Sequence, residues 1–459
     1  MYNINQINFN YFLHNALYEY DKQGTPINVD FRKLIKLKNY PDRYTHIIHP
    51  YTAKVLAHIP NAFINSFLND QYNLVLDPFC GSGTVLLESI LGQCFPIGAD
   101  PNPIAQLISK VKTKYIDEAL LNSELNNILK NAKTKKNHFF GGLEEVKYWF
   151  AKQKLNDLGK IFQAINDIED QNIKNFFLLA YSSVIKKVSF ADPRISVPVK
   201  MNPHKYKDGH QEKIKTLNYL RKQKHIDVYN EFYNISTKNI FRNAKLKVIL
   251  NKELLMYNTP IYDDARHIDS TLYDSYNYDY YLPDNSVDMI ITSPPYVGSQ
   301  KYIRSSSLNL YLTKLIEKKD FASLKSNIIG RDQFKKSEYL NKILTGITEA
   351  DEIIDSIYNM YPLRGYMCAK YLLELYEVFN CVSKKLKKNK YLILVISNNT
   401  IVNHNFDTCK YIKNILKNFN FKLCLELIDN INSRGLMTKR NKTASIITNE
   451  WVGIFQKKG

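Results

Sequence analysis

Apolar positions in this chain come in two spacings. Short unbroken runs stand at Leu74-Val75-Leu76, at Phe95-Pro96-Ile97-Gly98-Ala99, at Met289-Ile290-Ile291 and from Tyr391 to Ile396. Runs of that length suit strands buried on both faces of a parallel sheet. Between and after them, Val85 to Leu91, Tyr366 to Lys387 and Asp407 to Asn418 read as helices. Two last strands, Phe421 to Ile428 and Ile446 to Phe455, are joined by a polar connection that contains Ser433 to Lys442. The alternation predicts an α/β, mostly parallel, doubly wound sheet ending in an antiparallel hairpin.

Residues 114 to 260 break the alternation. They are rich in helix formers and Lys, with few alternating strands, and predict a mostly helical insertion. The chain then divides into an N-terminal segment with one half of the sheet domain (1–113), the insertion (114–260) and the other half (261–459). A smaller insert occupies 305–365. The large insertion is a candidate target-recognition domain, with a structural cap or a dimerisation unit as the alternative.

Two strand ends carry chemistry. Leu74-Val75-Leu76 runs into Asp77-Pro78-Phe79-Cys80-Gly81-Ser82-Gly83-Thr84 and then into a helix. Gly81 and Gly83 permit a tight turn and close approach of a ligand, and the helix start offers amide groups to an anion such as an amino-acid carboxylate. Nineteen residues beyond Gly81, Asp100 ends the next apolar segment, the distance at which an acid binds ribose hydroxyls.

The second is Ser293-Pro294-Pro295-Tyr296, directly after the apolar run. The prolines fix φ and remove two donors, so the carbonyls around them point outward with no ladder to join. Ser293 adds a hydroxyl acceptor and Tyr296 a flat face for a planar base. Together these fit the exocyclic NH2 of a nucleobase. Read alone, the same residues also describe a turn that ends a strand and packs one tyrosine.

The pair of motifs resembles the S-adenosylmethionine-dependent DNA amino-methyltransferases, in which an Asp-Pro-Phe-x-Gly-Ser-Gly-Thr loop holds the cofactor and a (Asp/Asn/Ser)-Pro-Pro-Tyr loop holds the target base. The resemblance covers residues 40 to 113, 261 to 304 and 366 to 459. It implies a class I methyltransferase, Rossmann-like fold with S-adenosyl-L-methionine as cofactor. It further implies that Asp77, Pro78, Phe79, Cys80, Gly81, Gly83, Thr84 and Asp100 bind the cofactor, and that Ser293, Pro294, Pro295 and Tyr296 form the catalytic loop. Asp264, within Tyr262-Asp263-Asp264-Ala265-Arg266, is expected at the cofactor's adenine amino group, although Tyr262-Asp263 stands where the family usually has glycine. Arg43 to Lys54 looks like the family segment over the methionine end, which brings in His49 and Pro50; His49 equally suits a structural cap. The cofactor motif precedes the base motif here, with the long insertion between them.

Composition narrows the class. A net charge of +19 over 459 residues favours a polyanionic partner, here double-stranded DNA, though a Lys-rich chain also follows from biased base composition. Three basic clusters stand out, at Lys384 to Lys388, Arg221 to Lys224 and Arg434 to Lys442. The first suits a helix C-terminus. The six cysteines show no metal-ligand spacing, so no metal is expected, and they read as reduced thiols. No Pro-Cys pair occurs, which argues against cytosine C5 chemistry, because that reaction needs a thiolate. With no signal pattern at Met1 to Gln6 and no apolar run long enough to span a bilayer, a cytoplasmic protein without membrane association is expected.

Serine at the first loop position resembles N4-cytosine enzymes. The sequence therefore points to site-specific N4-cytosine methylation of duplex DNA in a restriction–modification system, with a cognate endonuclease acting separately. N6-adenine methylation, RNA base methylation and a catalytically dead DNA-binding protein are the alternatives.

Overall fold

A computed structural model describes residues 4–51, 54–68, 70, 72–136, 144–273, 279–298, 301–430 and 448–459. Its centre is an eight-stranded sheet: β1 (Ile27–Val29), β2 (Leu74–Asp77), β3 (Phe95–Ala99), β4 (Ile261–Tyr262), β5 (Val287–Thr292), β6 (Leu386–Ile396), β7 (Phe421–Asn430) and β8 (Asn449–Lys457). The spatial order is β1-β7-β8-β6-β5-β2-β3-β4. β8 runs antiparallel to both β7 and β6, and the other neighbours are parallel. This is the mostly parallel class I methyltransferase arrangement with its terminal antiparallel hairpin. The Ser433–Lys442 connection of that hairpin lies outside the described residues.

Strand burial explains the apolar runs. All six residues of β5 are buried, and the two sides of the sheet separate cleanly. Val75, Met289, Ile291, Ile393 and Val395 pack with Phe9 of α1 (Ile4–Gln23), Phe63 of α2 (His58–Phe67) and Phe31 between those helices. Leu76, Ile290, Leu392 and Leu394 enter the opposite core. A parallel strand at the middle of a three-layer fold has no solvent face, so polar alternation is lost. Asp288 is the exception: it is buried, accepts the Leu74 N–H at 3.0 Å and pairs with Lys387 at 2.8 Å.

On the β2 side, α3 (Thr84–Leu91) and α4 (Pro103–Thr113) follow their strands directly. Proline at the first position of α4 and the Asn102 side chain, which accepts the Ile104 N–H, start that helix. The region 114–260 is helical: α5 (Glu118–Thr134), α6 (Lys152–Asn166), α7 (Gln171–Val188), α8 (Gln211–His225) and α9 (Val228–Ala244). Asp caps open three of them: Asp117, Asp170 and Asp227 each accept first-turn amides.

Helices α5, α6, α7 and α9 share one core with Ile104, Leu107, Ile108 and Val111 of α4 and with Ile303, Leu308, Leu312 and Ile328. The insertion is thus seated on α4, and part of the second insert, including α10 (Ser307–Thr313), packs into it. The rest of that insert, α11 (Thr348–Met360), joins α12 (Pro362–Lys385) and α13 (Thr408–Asn418) on the other face of the sheet. Among the described residues no helix is long and apolar enough to cross a membrane.

Candidate functional site

The carboxyl ends of β2, β3, β4 and β5 converge on one cleft. Parallel strands end there with free carbonyl edges and following loops, which is why open α/β sheets bind ligands at that edge. Of the residues expected from sequence, Pro78, Phe79, Gly81, Asp100, Asp264, Ser293 and Pro295 line the cleft. The glycine loop and the Ser-Pro-Pro loop are therefore neighbours in space, although about two hundred residues separate them in the chain.

A buried hydrogen bond joins the two loops. Thr292, the last residue of β5, donates its hydroxyl to Asp77 Oδ1 at 2.7 Å, and the same oxygen accepts the Phe79 N–H at 3.1 Å. Asp77 is 2% exposed. Burial lifts its pKa to about 7, with the nearby Asp100 charge adding to the rise and the two hydrogen bonds opposing it. Asp77 lies beneath the cleft rather than in its lining.

The glycine loop is built as the sequence suggests, with its amides partly used internally. Gly81 and Gly83 adopt φ of +50° and +67°. Gly81 N–H donates to Asp100 Oδ2 at 3.0 Å, and Gly83 N–H donates to the Cys80 carbonyl at 2.7 Å. Asp100 Oδ1 accepts the Asn102 N–H at 2.8 Å. Burial raises the Asp100 pKa to about 6 against the pull of these two amides. Each carboxylate oxygen keeps a second lone pair for a ligand hydroxyl. Ser82 is 3% exposed, and among the described residues its hydroxyl has no hydrogen-bond partner. Such a group is costly to leave unpaired and suits a ligand oxygen at the loop.

At the β4 end, Asp264 caps a short turn by accepting the Arg266 N–H, and the Arg266 guanidinium holds both carboxylate oxygens at 2.6 to 3.1 Å. Arg266 also donates to the Asn327 carbonyl at 2.9 Å. The carboxylate is thereby fixed against the wall formed by Asn327, Ile328 and Ile329.

The remaining expected residues are not in the lining of the cleft. Thr84 is buried at the start of α3, and Cys80 is buried with its thiol 3.8 Å from Ser109 Oγ. Pro294 is buried and Tyr296 half-buried beside the α12 core. Pro50 is exposed. His49 is buried with Nε2 at 2.8 Å from Ser182 Oγ on α7, and burial pushes its pKa down to about 3. It ties the segment to the insertion.

Sequence reading missed several lining residues. Tyr51 reaches the cleft with its hydroxyl 3.4 Å from Asn102 Nδ2, and Asn102 also donates to Ser306 Oγ at 3.3 Å. Asn102 carried a signal, since Asn before Pro marks a helix cap. Tyr302, Ile303 and 327–329 carried none, because only the fold brings that segment back over β4. Among the described residues, no group of three or more His, Cys, Asp or Glu is disposed to hold a metal.

No protein-family model matches the chain. It is similar to the Type II methyltransferase M.MvaI of Kocuria varians, with 22% identity over 457 residues, spanning 93% of this chain and 92% of that protein. The Type II methyltransferase M.MjaII of Methanocaldococcus jannaschii is 24% identical over 53% of this chain and 40% of its own length. M.BsoBI of Geobacillus stearothermophilus, also a Type II methyltransferase, is 25% identical over 63% of this chain and 56% of its own. The first of these similarities runs through both loops, the sheet and the insertion alike, so over nearly its whole length the chain is similar to the Type II methyltransferases of restriction–modification systems, a family that uses S-adenosylmethionine.

Proposed function

We propose that this chain methylates an exocyclic amine of a base in duplex DNA, with N4 of cytosine the favoured target, as the modification enzyme of a restriction–modification system. The observation that carries the reading is the meeting of Ser293 and Pro295 with Gly81, Asp100 and Asp264 in one cleft.

S-adenosylmethionine supplies an electrophilic methyl group on a positively charged sulfur. The loop around Gly81, Ser82 and Gly83 fits the cofactor's amino-acid end, Asp100 its ribose hydroxyls, and Asp264, held by Arg266, its adenine amine. The buried Asp77 and the half-buried Asp100 give this side of the cleft a negative potential that suits a cation. The Ser293 hydroxyl and the Pro294 carbonyl accept the hydrogens of the target amine. That draws its lone pair out of conjugation and aims it at the methyl group. Tyr296 offers a face to the base, which must leave the helix to reach the cleft. The helical insertion serves target recognition in this reading.

The test is to incubate the protein with labelled methyl donor and unmethylated duplex DNA, digest to nucleosides and identify the product by mass spectrometry. N4-methylcytosine is expected. N6-methyladenine would keep the site and change the base, whereas label in RNA alone or in neither nucleic acid would overturn the assignment.

The Thr292–Asp77 bond predicts a second result. Thr292→Val keeps the volume and removes the donor that holds the two loops in register, so the methylation kcat should fall about 10- to 100-fold while cofactor affinity changes little; a misplacement of reacting groups by about 1 Å costs that much. Thr292→Ser should recover most of the rate. Equal loss in both variants, or none in either, would refute the coupling.

A further inference from the structure

Three basic clusters stood out in the sequence, and the fold separates them. Lys384 to Lys388 lies where α12 passes into the amino end of β6, the sheet edge opposite the cleft. There Lys385 is buried and bonded to Asp284, and Lys387 pairs with Asp288. Arg434 to Lys442 is outside the described residues. The third, Arg221 to Lys224, belongs to α8.

The forty residues from 186 to 225 hold eleven Lys or Arg and three Asp or Glu, a net of +8 out of the chain's +19. All three acids are already engaged: Asp192 with Arg194 at 2.8 Å, Asp208 with Lys213 at 2.5 Å, and Glu212 with Arg194 at 2.9 Å and Lys215 at 2.8 Å. Arg221, Lys222 and Lys224 are exposed, and among the described residues none of the three has an ion-pair partner. α8 buries only Thr216 and Gln223. A helix with so little apolar burial is not stabilised by a core, and its cationic residues do no packing work there.

α8 is nevertheless held firmly. Tyr219 donates to the Ala191 carbonyl at 3.2 Å, Gln223 Nε2 to the Lys187 carbonyl at 2.9 Å, and Lys154 Nζ to the Gln223 carbonyl. These contacts lay its basic end against the last turn of α7. One turn earlier, Ser182 holds both His49 and, through its carbonyl, Asn309 at 2.7 Å. His49 lies two residues from Tyr51 in the cleft. From Ser182 to Lys187 is about 7 Å along a helix axis, so the unpaired cations stand close to the elements that wall the cleft.

We propose that the basic end of α8, through Arg221, Lys222 and Lys224, lies on the phosphate backbone of the DNA duplex while the cleft acts on a base. The inference rests on the DNA-methylating reading above. Contacts of this kind position the protein and add affinity without reading sequence, so a duplex of arbitrary sequence is a sufficient probe.

The experiment is the salt dependence of duplex binding, by fluorescence anisotropy, for the wild type, R221A/K222A/K224A and the control K384A/K388A. Each lost phosphate contact lowers the slope of log K against log salt by about 0.9. The α8 variant is expected to lose about two to three units of slope and to bind at least 10-fold more weakly, with methyl-donor binding and helix content unchanged. The control should keep the wild-type slope. A wild-type slope in the α8 variant would overturn the proposal, as would equal losses in both variants, which would signify net charge alone. A wild type that binds the methyl donor but no duplex would overturn the underlying reading as well.

Discussion

Glu88→Ala is expected to destabilise the protein by about 3–5 kcal/mol, the usual cost of removing one partner from a buried charge cluster. Glu88 is 1% exposed on α3. Its carboxylate accepts Arg43 Nη1 at 2.5 and 2.7 Å, His46 Nε2 at 2.6 Å and Asn61 Nδ2 at 2.9 Å. Burial lowers the His46 pKa, so the imidazole is neutral and donates its Nε2–H, while Arg43 carries the balancing charge. Burial acts to raise the Glu88 pKa, but these donors hold it below the usual carboxylate range.

The sign of the pH dependence follows. A carboxylate whose folded pKa is depressed contributes stability above its ordinary value of 4.5 and loses it as pH falls through the folded value. Urea denaturation should therefore show the full gap between wild type and variant at neutral pH and a shrinking gap only in acid. An unchanged midpoint at pH 7 would remove the cluster from any account of stability. Because its partners belong to the chain between Arg43 and Asn61, which also brings Tyr51 to the cleft, cofactor affinity should fall in the same variant.

The second large effect is expected at Gly83. Both glycines of the loop after β2 have positive φ, which costs a residue with a Cβ about 1–2 kcal/mol. Their surroundings differ. A Cβ on Gly81 would meet only Tyr51 Cε1, at an ordinary 3.7 Å, whereas on Gly83 it would lie 2.7 Å from Ser109 Oγ and 3.1 Å from Ser109 Cα. The second contact is backbone of α4, which cannot rotate away. Gly83→Ala must then part the loop from α4, and a loss of methyl-donor affinity of at least 100-fold is expected by calorimetry. Gly81→Ala should lose about 5- to 30-fold, the strain alone. Equal losses, or a reversed order, would show that the loop tolerates displacement at α4.

What could be read in the sequence was what local chemistry dictates. Met289 to Ile291 announced a central strand because burial on both faces leaves no polar alternation there. Gly81, Gly83 and Asp100 announced the loop because their spacing is set by one strand, one turn and the next strand. The missing parts depend on distant packing. Thr292 looked like the tail of an apolar run, and only the adjacency of β2 and β5 gives it Asp77 as a partner. The guanidinium of Arg266 on Asp264 sits two residues away in sequence, but its purchase on Asn327 required the fold. Lys385 suited a helix end; in the fold it is 1% exposed and bonded to the Leu282 carbonyl and Asp284.

β1 completes the sheet by pairing in parallel with β7, Ile27 beside Leu427 and Val29 beside Asp429, and Tyr20 and Arg32 reach Glu426 and Asp429 across the same four hundred residues. During synthesis the first thirty residues therefore emerge long before their neighbours exist. At about 5–20 residues per second the interval is on the order of 20–80 s. Over that time Phe9, Leu13 and Phe31, buried in the finished protein, have no sheet to cover them, so the nascent chain carries an apolar amino-terminal segment that a chaperone is suited to shield until the far strand leaves the ribosome.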